Sequence, residues 1–214
     1  MKKEIIILTK SVKHGGFCVA GLDRSSGEWV RLVSGNEANE HSVSQRDMCY
    51  ENGYEIEIFD IVEVDIIKHY PSNVQKENYL YNENATWKKK GVSNLQEVVN
   101  LHGYDTPKFI FGNEDIKLTD ENISLTNKSL LLVHIENAQY FIKTFPEGKK
   151  IQLNFRYNGT RYSYIRVTQK DLLQFFSDKT DGFYDANEEV FVFSLTDKYE
   201  KTGKYYKVMA QALG

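Results

Sequence analysis

The chain is poor in the residues that mark several common classes of protein. Of its 214 residues only two are cysteines, Cys18 and Cys49, far apart and in no CxxC pattern. That argues against a disulfide framework and against a cysteine-based zinc site, so no metal is expected. Prolines number three, which leaves no Pro-rich linker. No apolar run approaches the roughly 18 residues of a membrane helix. Ile5 to Leu8 is too short for the apolar core of a secretory leader. A cytoplasmic protein without a membrane partner is therefore expected. Positive charge is not in excess either: the formal net charge is −3. Residues 1–108 carry 13 Lys/Arg against 16 Asp/Glu, and residues 109–214 carry 14 against 14. A protein that coats nucleic acid shows a cationic footprint, so any such contact here must be local.

Signatures of catalysis are missing as well. His14, His41, His69, His102 and His134 are scattered, with no HxxxH spacing. No GxSxG elbow presents a serine, and no Walker A loop presents a lysine. Asp178, Asp181, Asp185, Glu188 and Glu189 read as a charged surface loop before a metal site. No cofactor is implied.

What the chain does have is β pattern. Ile5-Ile6-Ile7-Leu8 is a β-branched run too short for a helix. Gly15-Gly16 permits a sharp reversal, and Phe17 to Leu22 is a second strand. Asp23 to Gly27 is turn chemistry, and Trp29 to Val33 is a third strand. Glu55 to Lys68 alternates as a long strand with one wet face. Residues 71–91 are polar and read as an excursion from the first barrel. Asn94 to Leu101 reads as a short helix. Further on, Ser129 to Ile135, Gln139 to Phe145, Lys149 to Tyr157 and Thr160 to Thr168 read as strands. The last two are joined by Asn158-Gly159, the preferred type I′ turn. That turn pairs Arg156 with Arg161, Phe155 with Tyr162 and Leu153 with Tyr164, placing both tyrosines on the apolar face. Gln169 to Phe176 reads as a helix capped by Thr168, and two closing strands follow at Glu189 to Leu195 and Lys204 to Leu213. The domain boundary is expected near Thr106 to Leu118, giving units of 1–108 and 117–214.

Three clusters stand out as candidate ligand contacts. The first is Lys10, Lys13, His14, Gly15 and Gly16, with Arg31 from a neighbouring strand. A Gly-Gly turn lets backbone N–H groups approach an anion while the cations supply charge. The plainer reading is a glycine hairpin with solvated lysines. The second is Arg156 opposite Arg161, with Lys149, Lys150 and Arg166 close by. Like charges opposed on a sheet repel unless an anion or solvent intervenes. The third is Trp87 beside Lys88, Lys89 and Lys90, the aromatic–basic mixture used by single-stranded nucleic-acid sites.

The string Lys10-Ser-x-Lys13-His14-Gly15-Gly16-x-Cys18-Val19-Ala20-Gly21, followed by Gly27-x-Trp29-Val30-Arg31-x-Val33-Ser34, resembles the opening of the bacterial dual OB-domain proteins. Phe191-Val-Phe-Ser194-Leu195-Thr196, with Tyr205-Tyr206-Lys207-Val208, is similar to that family's closing signature. The resemblance implies a mostly β chain of two tandem OB-like antiparallel barrels with short helices. By fold-level analogy it implies a non-catalytic binding module for nucleic acid or nucleotide phosphate. In that reading Lys10, Lys13, His14 and Arg31 contact phosphate, Arg156 and Arg161 extend the track, and Trp87 stacks on a base. An enzyme acting on nucleic acid or a nucleotide through His14, and an adaptor for a protein partner, are the alternatives.

Overall fold

The computed structural model describes residues 1–13 and 15–214. It divides into two compact units, Met1–Gly103 and Tyr104–Gly214. The division lies a few residues ahead of the boundary expected from composition. Asp105 already belongs to the second unit, where its N–H donates to the Leu132 carbonyl and its carboxylate accepts from the Leu132 N–H. Among the described residues no helix is long and apolar enough to cross a membrane.

In the first unit the strands are β1 (Lys2–Lys13), β2 (Gly16–Asp23), β3 (Trp29–Val33), β4 (Asp60–His69), β5 (Asn78–Tyr81) and β6 (Lys88–Val92). They run in the order β1-β2-β3-β5-β4, and β4 returns to β1. All pairs are antiparallel except β3–β5. This is a closed five-stranded barrel, with β6 added beside β4. Closure depends on β1 serving two partners: Lys2 to Ile6 pair with β4, and Ile5 to Lys13 pair with β2. A bulge between Ile7 and Thr9 lets the strand coil from one to the other. Gly21 makes that coil feasible, since a Cβ there would sit 1.9 Å from the Ile6 carbonyl oxygen. Inside the barrel, Ile5, Ile7, Val19, Val30, Leu32, Val62, Val64, Ile66, Tyr81 and Trp87 share one core.

Two expectations are corrected here. The strand expected from Glu55 begins only at Asp60. Residues 71–91 are not an excursion: they contain β5, which closes the barrel, and β6. Burial of Tyr81 and Trp87, whose rings meet edge to face at 5.4 Å, draws this polar segment into the fold. Helix α1 (Leu95–His102) follows, capped by Asn94, whose side chain accepts from the Glu97 N–H.

The second unit holds β7 (Lys117–Leu118), β8 (Leu130–His134), β9 (Gln139–Phe145), β10 (Gly148–Tyr157), β11 (Thr160–Val167), α2 (Lys170–Phe175), β12 (Gly182–Asp185), β13 (Val190–Leu195) and β14 (Tyr205–Leu213). The sheet order is β12-β9-β10-β11-β14-β13-β8, with β11–β14 parallel. Because β8 runs directly into β9 through residues 135–138, the chain itself joins the two sides of this sheet. The β8–β9 pair thus serves β13 with its first half and β10 with its second, as β1 serves β4 and β2. Helix α2 is capped at Gln169 rather than Thr168, whose hydroxyl donates instead to the Met209 carbonyl. Phe176 is buried, whereas Phe175 is 60% exposed.

Candidate nucleic-acid interface

Among the described residues of the first unit, two of the cations expected at the turn, Lys10 and Arg31, are engaged internally. Lys10 is buried, and its ammonium donates to the Ile56 carbonyl at 2.8 Å with Glu55 and Glu57 each at 3.4 Å. Arg31 is buried too, ion-paired to Glu77 at 3.0 Å and donating to Cys18 Sγ. Trp87 is 1% exposed and belongs to the core, not to a stacking surface. The neighbouring lysines instead lie on β6, where Lys89 pairs with Asp60 and Lys90 with Glu63. Lys13 stays at the surface, with its ammonium donating to the Glu40 carbonyl. The two glycines have a packing role: a Cβ on Gly16 would lie 2.4 Å from the Val43 carbonyl oxygen, and one on Gly15 would touch Asn39. His14 lies outside the described residues.

The second unit assembles a different surface. Along β9 and β10, Tyr140, Ile142, Ile151, Leu153 and Phe155 point into the core. The intervening residues therefore face outward. Phe141 is one of them. It lies directly opposite Gln152 on β10 and Phe183 on β12. Its ring meets Phe183 at 4.8 Å and Tyr164 at 5.6 Å. Phe183 is 61% exposed and Tyr164 is 52% exposed. Three rings thus form a row across the open face of one sheet.

Tyr164 reaches that row because the β10–β11 ladder is not regular. Phe155 pairs with Tyr162 and Arg156 with Arg161 as the Asn-Gly turn requires, but Leu153 pairs with Ile165 rather than Tyr164. Ser163 and Tyr164 together oppose the single residue Asn154, and Tyr164 takes φ +66. A side chain in that left-handed region costs about 1–2 kcal/mol. Asn154 holds the bulge in place: its side-chain oxygen accepts from the Tyr164 N–H at 2.7 Å, and Gln152 donates to the Tyr164 carbonyl at 3.3 Å. The inward position expected for Tyr164 is thereby corrected. The bulge turns the ring outward, and Ile165 takes the core place.

Cations border the rings. Arg156 and Arg161 lie side by side at one end, and Arg166 opposes Gln152 in the row of Phe141. All three are exposed, and among the described residues none has an ion pair or hydrogen bond from its guanidinium. At the other end Lys143 pairs with Asp181 at 3.3 Å, and Lys150 lies 4.5 Å from the Phe145 ring centroid. Lys149 is committed to the carbonyls of Ser177 and Lys179. The structure thus brings together one predicted pair, Arg156 and Arg161, and adds Phe141, Tyr164 and Phe183. The alternation of Gln139 to Phe145 already puts Phe141 opposite to Tyr140 and Ile142. Nothing in the sequence marks the bulge.

Behind this face, Tyr162 and Lys207 are tied to one loop. The Tyr162 hydroxyl donates to the Asn113 carbonyl and accepts from the Ile110 N–H, and burial pushes it up to about 12. The Lys207 amine donates to the Asn113 carbonyl and side-chain oxygens at 2.8 and 2.6 Å. It is 2% exposed, and burial pushes it down to about 7.

No curated protein and no solved structure matches the chain. Both units follow the strand order of OB barrels, a fold that commonly binds oligonucleotides on its sheet face. A family model for the dual OB-containing domain matches residues 3–212, nearly the entire length, and the chain belongs to that family.

Proposed function

We propose that the protein binds single-stranded nucleic acid on the outer face of β9–β11, without turning it over. The observation that carries this reading is the exposed row Phe183–Phe141–Tyr164, bordered by Arg156, Arg161 and Arg166. Bases have a π face of any sequence, so exposed rings accept them, while guanidinium groups hold the phosphates. Rings lying in a sheet surface stack on unpaired bases, which a duplex does not offer. The strained backbone at Tyr164 supports the same reading, because strain of this kind collects at sites of function. The phosphate contact is assigned to Arg156 and Arg161 rather than to the Lys-His-Gly-Gly turn, where Lys10 is internally paired.

Fluorescence anisotropy with labelled oligothymidylate, oligouridylate and a duplex of equal length tests the proposal. Binding is expected for the single strands, with log affinity falling against log salt at a slope of about −0.7 per phosphate neutralised, hence near −2 for the three arginines. Preference for the duplex, or no binding at low salt, would overturn it.

A further inference from the structure

At the tip of the β10–β11 hairpin the same unit holds a cleft of about 420 Å³, lined by His134, Glu136, Asn137, Arg156, Tyr157 and Asn158 among others. A cleft of that size suits a single small ligand. It opens where the barrel's first strand is interrupted. In the first unit that strand, β1, runs unbroken from Lys2 to Lys13. In the second it breaks between β8 and β9, and Asn137 takes φ +56. The β9–β10 ladder ends at Gln139 opposite Asn154. Two residues further along, the register carries Asn137 to the level of Arg156. The cleft is therefore the continuation of the ring-bearing face, about 13 Å of strand from Phe141.

Its polar groups sort by charge. Arg156 lies on the side of the aromatic row. Glu136 and Asn137 are exposed, and among the described residues neither side chain has a hydrogen bond or ion pair. A larger cleft of about 580 Å³ on this unit differs in that respect: its Asp105 is already bound by Lys128 at 2.6 Å and by the Leu132 N–H. A carboxylate repels phosphate, so Glu136 is suited to a base edge and Arg156 to the backbone. The Glu136 carboxylate only accepts hydrogen bonds, while the Asn137 amide can donate as well as accept. Guanine is the base whose pairing edge presents two adjacent donors, N1–H and the N2 amine, with an acceptor, O6, beside them. Tyr157, half-buried, also lines the cleft.

We propose that this cleft holds one nucleobase of the bound strand and selects guanine, through Glu136 to N1–H and N2 and Asn137 to O6. The inference rests on the ring-bearing face binding single-stranded nucleic acid. The test uses three labelled oligothymidylates: one unaltered, one with a single central guanine, and one with inosine there, which lacks the N2 amine. Each is titrated into the full chain, Glu136→Gln, Asn137→Ala and Phe141→Ala. The guanine strand is expected to bind roughly tenfold tighter than oligothymidylate, a typical discrimination for one bidentate contact, with inosine between them. Glu136→Gln should abolish that preference without weakening oligothymidylate binding, whereas Phe141→Ala should weaken all three strands. Equal affinity of the wild type for the three overturns the guanine cleft and leaves the ring-bearing face standing. A preference that survives Glu136→Gln and Asn137→Ala also overturns it. No binding of any strand overturns both.

Discussion

Lys207 makes the stability of the second unit rise with pH in the alkaline range. Its amine is enclosed, with Asn113 oxygens as its partners and the Tyr162 ring 5.1 Å away. Burial lowers it to about 7 from an ordinary value of 10.5, while Asp115 pulls weakly the other way. A lysine depressed in the folded state binds fewer protons there than in the unfolded chain between pH 7 and 10.5. Stability must therefore rise with pH across that window. Below pH 7 both states are protonated and the full cost of burying the ammonium is felt; above pH 10.5 neither is, and the cost vanishes. An interval of about 3.5 pH units at 1.36 kcal/mol each sets an upper bound on the order of 5 kcal/mol. The two Asn113 oxygens and the Tyr162 ring favour the ammonium and reduce that figure. Urea unfolding between pH 6 and 10 measures it. Both tryptophans, Trp29 and Trp87, lie in the first unit, so tryptophan emission follows that unit alone while circular dichroism follows both. The dichroism transition of the wild type should move to higher urea as pH rises from 7 to 10. In Lys207→Met the shift should disappear. A wild-type minus variant difference that stays constant across the window would refute the assignment of a depressed amine to this site.

Other consequences follow from the same geometry. Tyr164→Ala should weaken single-strand binding by about 1–3 kcal/mol, the usual loss for one stacking ring, with an unchanged melting curve. Asn154→Ala removes the acceptor of the Tyr164 N–H; it should cost about 1 kcal/mol of stability and weaken binding together, seen by melting and anisotropy on one sample. Trp87→Ala should destabilise the first unit by about 3–5 kcal/mol and leave the affinity of the folded protein unaltered, the reverse of what a stacking residue would show. Gly16→Ala should also destabilise that unit, because its methyl would press on the Val43 carbonyl.

Much of the fold was legible in the residues. The Ile5–Val33 meander, the Asn158-Gly159 hairpin and the closing strands follow from alternation and turn chemistry, and they are the strands observed. Residues 71–91 were not legible. A four-residue strand pairing in parallel with β3 has no local signature, and burial of Trp87 is decided by distant partners. The candidate site divides the same way. Arg156 opposite Arg161 is fixed by a two-residue turn, so sequence places the pair. Lys10 and Arg31 read as free cations because the carboxylates that engage them, Glu55, Glu57 and Glu77, are 45 to 47 residues away along the chain. Tyr164 reads as core because strict alternation puts it there. One extra residue opposite Asn154 reverses its direction, and a bulge of that kind is set by the packing of both strands rather than by either sequence.

The most direct test of the account is amide chemical-shift mapping of the full chain during titration with oligothymidylate. The account predicts that perturbed amides cluster on β9, β10 and β11, around Phe141, Arg156, Arg161 and Tyr164, and shift in proportion to occupancy. Perturbations confined to the first unit around Lys13 and Gly16, or none at saturating oligonucleotide, would contradict it.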